Sequence, residues 1–188
     1  MVSCLVFAVS CKKNQQEEED VGGFAAFEKA ISAASASSVV VEVKTIGDLG
    51  ELNSSYEVYF AEDNTATIKY SYERFYEIGE GPEGETVKRT EGTIYRDAAG
   101  SYSNNAGVDV SAVTAAAAFN IASLKSAAEI NDASDVLTVT VPRMSASAVF
   151  GMTFKSNVEF KMILRDKALS KMTLTAADKV ITYTYSAN

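Results

Sequence analysis

From Thr65 to Ile78 apolar and polar positions alternate. Ala66, Ile68, Tyr70, Tyr72, Tyr76 and Ile78 share one register, interrupted by Arg74. Thr67, Lys69, Ser71, Glu73 and Glu77 share the other, interrupted by Phe75. A period of two sustained over this length predicts a long antiparallel strand with one tyrosine-rich face and one wet face. The other strands are expected to pair with it or with its neighbours.

Around this stretch the pattern predicts further elements. Phe24, Phe27, Ile31 and Ala34 recur at helical spacing, so a helix is expected over 21–35, with Asp20 as its cap. Val39, Val41 and Val43 alternate with Val40, Glu42 and Lys44 in a strand to Ile46, and Gly47 to Gly50 forms a turn. A second strand runs from Ser55 to Glu62, with Tyr56, Val58 and Phe60 on one face. After the long strand come a loop at Gly79–Glu85, a strand over Thr86–Arg96 and a short segment at Ser101–Ser103. The period then changes. Val113, Ala117, Ile121, Leu124 and Ala128 make one stripe of a helix over 110–130, with Asp109 or Ser111 as its cap. Asn131 to Asp135 is expected to end it as a solvated turn.

The C-terminal part reads as strand throughout. Val136–Val141 leads to Pro142, and Ala146, Ala148, Phe150, Met152 and Phe154 alternate in the next stretch. Val158, Phe160, Met162 and Leu164 follow, then a hairpin turn at Asp166-Lys167, then strands over Leu169–Ala176 and Val180–Tyr185. Helix, strands, helix, strands with short connections gives an α+β fold. Its sheet is antiparallel and curved, and the N-terminal and middle helices pack on one face.

Composition narrows the chemistry. The chain has 188 residues and a formal net charge of −8, so it carries no basic footprint for nucleic acid. Histidine is absent, and Cys4 and Cys11 are the two cysteines. The globular part therefore lacks the commonest general base, a thiolate nucleophile, and the usual zinc ligands. Paired carboxylates are the one enzymatic route left. Glu73 and Glu77 stand roughly 13 Å apart along a strand, beyond the ~5–9.5 Å that separates glycosidase pairs. Glu57 or Glu91 reaches Glu73 only in a suitable register. The run Gly79-Glu80-Gly81-Pro82-Glu83-Gly84 fits G-x-G-x-x-G in letters alone. No helix opens after it, its glutamates repel phosphate, and Pro82 lacks an amide donor. No enzymatic activity, cofactor or metal site is expected.

The N-terminal stretch carries an address. Leu5 to Val9 is apolar, Ala8-Val9-Ser10-Cys11 follows, and Lys12 to Asp20 is a polar, charged tether. This resembles the tail of a bacterial lipoprotein signal peptide, in which the cysteine after a small residue receives the lipid and becomes the new N-terminus. A full signal begins with a positive segment that these ten residues before Cys11 lack. The natural start is therefore expected upstream of Met1, or the signal already trimmed. The resemblance implies 1–11 as signal remnant, 12–20 as tether and 21–188 as one domain. It implies anchoring to the membrane through acyl chains on Cys11, outside the cytoplasm. No apolar run reaches the ~18 residues that span a bilayer.

The large apolar side chains form the remaining candidate site. Tyr56, Phe60, Tyr70, Tyr72, Tyr76, Phe150, Phe154 and Phe160 either fill a core under the two helices or line a cavity for an acyl chain, with Arg74 at its rim. The order of elements resembles the outer-membrane lipoprotein carrier family and its LolA-like and LppX/LprG-like relatives. The shared features are the helix over 21–35, the strands over 39–103, the helix over 110–130 and the hairpins over 136–185. That resemblance implies an unclosed half-barrel with helices on its concave face that binds a lipid or an acylated client. No functional residue of that family is carried over by position, and Arg74, on the tyrosine register, reads as a strand-end or rim arginine before it reads as an analogue of the family's arginine. With a filled core, the alternative is a non-enzymatic surface module that binds a protein partner.

Overall fold

The structure, a computed structural model, describes residues 24–34, 38–47, 50–61, 63, 65–75, 87–103, 108–118, 124, 129–133 and 135–186. Its strands are β1 (Val39–Gly47), β2 (Gly50–Phe60), β3 (Ala66–Phe75), β4 (Val87–Arg96), β5 (Tyr102–Ser103), β6 (Glu129–Ala133), β7 (Val136–Val141), β8 (Val158–Arg165), β9 (Ala168–Thr175) and β10 (Lys179–Tyr185). Helices with described bounds are α1 (Phe24–Ala34), α2 (Ser111–Ala118) and α3 (Arg143–Phe150).

All described strands belong to one antiparallel sheet of ten, in the order β5-β4-β3-β2-β1-β10-β9-β8-β7-β6. Two five-stranded meanders are joined where β1 pairs with β10, from Val39↔Tyr185 to Thr45↔Lys179. The sheet is curved and stays open, with β5 and β6 as its edges. The expected α+β class with a curved open sheet is what forms. The long strand β3 pairs with β2 and β4 as expected, but the centre of the sheet is the β1–β10 pair.

Local chemistry sets the hairpins. β1 and β2 close through two residues, with Gly50 at φ 111°. At the β2–β3 turn the Asp63 carboxylate accepts the Thr65 N–H (3.0 Å) and hydroxyl (2.6 Å), and these bonds hold its pKa below the usual carboxylate value. The β4–β5 turn is tied by Ser101 N–H donating to the Asp97 carboxylate at 2.8 Å, and Gly100 takes φ 91°. At the β8–β9 turn Asp166 and Lys167 both adopt positive φ, 53° and 64°, as a two-residue turn matched to strand twist requires.

One face of the sheet is largely apolar across its central strands. A row of directly paired residues runs Leu137, Met162, Met172, Tyr183, Val41, Tyr56, Tyr70, Gly92. The next row runs Val139, Phe160, Leu174, Ile181, Val43, Ser54, Tyr72, Thr90. Helix α1 buries Phe27 and Ala30 against β8 and β9, with Phe24 and Ile31 beside them, along the stripe the sequence predicts. Helix α2 buries Ala112 and Val113 over β1, and the Asp109 carboxylate accepts the Ser111 N–H at 2.9 Å at its start.

Two expectations are corrected. Residues 146–154 are not a strand, because α3 occupies 143–150. Pro142 at φ −57° precedes it, and its carbonyl accepts from Ser145 and Ala146 at 2.9 and 3.0 Å. Asn157 Oδ1 accepts the first free N–H, that of Arg143, at 3.0 Å. Gly151, left-handed at φ 66°, ends the helix and donates to the Ser147 carbonyl. Ala146 and Phe150, four residues apart, are the buried pair, and Ala148 is exposed. The middle helix also does not reach Ile130. Glu129–Ala133 pairs with β7 as an edge strand, so backbone groups expected to close helical bonds join the ladder instead, and Asn131 to Ala133, expected in a solvated turn, are part of that strand. Leu124 is helical and fully buried. Residues 119–123 and 125–128 of the expected helix lie outside the described residues, as do the 79–85 loop, Cys11 and the tether.

Candidate functional site

The candidate aromatics fall into two groups on the apolar face. Tyr56 and Tyr70 are directly paired across β2 and β3, and the Tyr72 ring stacks on Tyr70 at 6.4 Å and 10°. Tyr70 also lies over Gly92, the facing residue on β4, whose missing side chain leaves room for the phenol. Phe150 on α3 meets Phe154 edge-on at 6.0 Å and Phe160 on β8 at 5.7 Å. Four strand spacings, roughly 19 Å, separate β2 from β8. The ground between is filled by Val41, Tyr183, Met172, Ile181 and Leu174, all buried. The fold therefore does not bring the two groups together. Phe60 is half-buried near the far end of β2, and Arg74 is exposed opposite Leu52. Tyr76 lies outside the described residues.

Tyrosine hydroxyls fasten α2 to the sheet. Tyr56 Oη donates to the Asp109 carbonyl at 2.7 Å, and Tyr183 Oη to the Ala112 carbonyl at 3.0 Å. The hydroxyls of Tyr102 and Thr114 are hydrogen-bonded at 3.1 Å. Burial pushes the Tyr56 and Tyr183 hydroxyls above the ordinary tyrosine value. Each ring stays in the apolar layer while its polar tip holds the helix. Beside these bonds, among Tyr56, Asp109, Ala112, Met152 and Ile181, lies a space of about 30 Å³. That is room for a water, whereas a pocket for a drug-sized ligand takes about 300 Å³ or more.

The opposite face carries what the sequence left unassigned. A groove of about 460 Å³ crosses β4, β3, β2, β1 and β10, lined by Glu42, Lys44, Asn53, Ser55, Ser71, Glu73, Arg89 and Thr182. Its floor is the directly paired Ser55 and Ser71. Lys44 Nζ meets Glu51 at 2.6 Å and holds that carboxyl below its usual value. Arg89 Nε lies 3.5 Å from Glu73. The register puts Arg89 opposite Glu73, Ser71 opposite Glu91 and Lys69 opposite Glu57. Glu57, Glu73 and Glu91 thus each face a cation or a hydroxyl, and Glu77 lies outside the described residues. Among the described residues no cluster of three or more His, Cys, Asp or Glu is placed to hold a metal, and no helix is long and apolar enough to cross a membrane. No protein-family model matches this chain, and no curated protein matches it in sequence.

Proposed function

We propose that this chain is a membrane-anchored lipoprotein whose open half-barrel takes a hydrophobic ligand, a lipid or an acylated client, between its sheet and α2. One observation carries the proposal. The face is mostly apolar from β7 to β3, and its cover over the centre is held by tyrosine hydroxyl bonds to Asp109, Ala112 and Thr114. When α2 lifts, those hydroxyls exchange helix partners for water at small net cost. An acyl chain then restores the apolar burial that the helix gave up. Acyl chains on Cys11 would hold the domain at an extracytoplasmic membrane surface, at roughly 0.8 kcal/mol per buried CH₂.

Native mass spectrometry of the purified chain before and after organic extraction tests the ligand. A bound lipid-sized mass that leaves on extraction, or saturable uptake of a fluorescent fatty acid, is the expected outcome. A clean apo mass with no uptake defeats it. It favours the second reading, a surface module with a filled core that binds a protein partner. That reading draws on the 30 Å³ of space found beneath α2. Cys11→Ser tests the anchor separately: the variant should leave the membrane fraction.

A further inference from the structure

The polar face of β3 carries a second feature in line with the groove. Tyr59 on β2, Thr67 on β3 and Tyr95 on β4 are directly paired, so both tyrosines stand on the solvent side, flanking Thr67. They are 46% and 52% exposed, two of the few large apolar side chains left in water among the described residues. Two strand spacings set their backbones roughly 10 Å apart, so one strand's width separates the points from which the two side chains rise. Tyr59 is held in place, with its hydroxyl donating to Glu57 at 2.9 Å and Lys69 Nζ 5.6 Å from its ring centre. From Thr67, β3 leads past Lys69 to Ser71 and the groove, roughly 13 Å away.

We propose that this face binds a neutral oligosaccharide along β3. One ring sits at the Tyr59–Tyr95 pair, and the following rings reach the floor at Ser55 and Ser71. The chemistry selects the ligand. Backbone donors and acceptors in the middle of a sheet are spent on the ladder, so recognition goes through side chains. Along the path those side chains alternate in kind. Glu57 faces Lys69, Ser55 faces Ser71, and Glu73 faces Arg89. An anion meets three carboxylates on this track, Glu57, Glu73 and Glu91, and a cation meets Lys69 and Arg89. A sugar hydroxyl both donates and accepts, so it satisfies either kind of neighbour. The exposed Tyr95 ring and the part of the Tyr59 ring that Lys69 does not cover suit the C–H face of a sugar ring. An extended peptide would look instead for a free strand edge or for apolar side-chain pockets, and this track offers neither.

The test is amide NMR of the full chain titrated with cellotetraose, chitotetraose and maltotetraose at millimolar concentrations. At least one should give saturable shifts confined to Tyr59, Thr67, Ser71, Arg89, Tyr95 and their neighbours. Tyr59→Ala and Tyr95→Ala should each weaken binding by about fivefold or more, whereas Tyr59→Phe keeps the ring and most of the affinity. Both Ala variants are surface changes, and unchanged spectra outside the track will show that they fold. No saturable shift with any of the three sugars overturns the proposal, as does binding that neither Ala substitution weakens. Shifts on the track with a mixed-charge peptide and none with the sugars also overturn it, and assign the face to a protein partner.

Discussion

Tyr183→Phe separates burial from hydrogen bonding at the centre of the sheet. The ring is 1% exposed, and its hydroxyl donates to the Ala112 carbonyl at 3.0 Å. The substitution keeps the ring and removes one neutral hydrogen bond, so near neutral pH it should cost about 1 kcal/mol. The same hydroxyl makes the wild type sensitive to alkali. Burial first, with a smaller contribution from Tyr185, lifts its pKa above the ordinary value of 10.0, so the unfolded chain ionises before the folded one. A folded-state pKa raised in this way leaves stability intact below pH 10. Above that pH stability falls as the unfolded phenol loses its proton, by about 1.4 kcal/mol per pH unit for one tyrosine. The variant has no such loss at this position. Tyr56 is also raised by burial, but it is present in both proteins and cancels in the difference. The two stability curves should therefore start about 1 kcal/mol apart and cross roughly 0.7 units above pH 10. Urea unfolding followed by far-ultraviolet circular dichroism, at steps from neutral to strongly alkaline pH, measures this directly. Curves that stay parallel through that range would refute the buried, bonded hydroxyl.

Two further changes test packing and turn geometry. Alanine normally stabilises a strand interior relative to glycine by about 0.5–1 kcal/mol, but Gly92→Ala should destabilise. Its Cβ would stand 2.6 Å from Tyr70 Oη and 2.8 Å from Cζ, an overpacking worth about 1–3 kcal/mol. The penalty should largely vanish in a Tyr70→Leu background, and a double-mutant cycle that finds the two changes additive contradicts the contact. At the β8–β9 turn, Asp166→Asn with Lys167→Gly should raise stability by about 0.5–1 kcal/mol, because both positions hold positive φ. A thermal midpoint unchanged or lowered by the pair would count against that turn.

Alternation made most of the sheet legible. Val39, Val41 and Val43, or Val158, Phe160, Met162 and Leu164, admit one inward face and no other. The misses have physical causes. Positions i and i+4 share a face in both a strand and a helix, so Ala146 and Phe150 fit either period. Ala148 decided wrongly for the strand, and the punctuation at Pro142 and Gly151 was the signal that pointed to α3. Glu129–Ala133 follows an alanine-rich stretch and is too short and polar to announce a strand; its role comes from the β7 edge it pairs with. The joining of β1 to β10 links residues at opposite ends of the chain and leaves no local mark. The site was legible to the same depth. Tyr56 beside Tyr70 follows from a hairpin, whereas the distance from these tyrosines to Phe150, Phe154 and Phe160 depends on strand order. The groove floor of Ser55 and Ser71 depends on register, which the alternation of two neighbouring strands does not fix.

The period of two also divides the molecule functionally. Tyr56 and Tyr183 face the helices, whereas Tyr59, Tyr95 and Ser71 face water on the other side of one sheet. Among the described residues the two sets' tyrosine hydroxyls bond to different partners, Asp109 and Ala112 on one face and Glu57 on the other. Substitutions on opposite faces are therefore expected to add in stability within about 0.5 kcal/mol. Hydrophobic uptake and sugar binding should respond to different residues. Tyr183→Phe alters the fastening of α2 and leaves the tyrosine pair beside Thr67 intact. Tyr95→Ala breaks that pair and leaves α2 fastened. A single β-strand such as β2 supplies both, with Tyr56 inward and Tyr59 outward, because an odd step along a strand reverses the face. The failure of either binding proposal thus leaves the other standing, and coupling between the two faces would require the sheet itself to change its curvature.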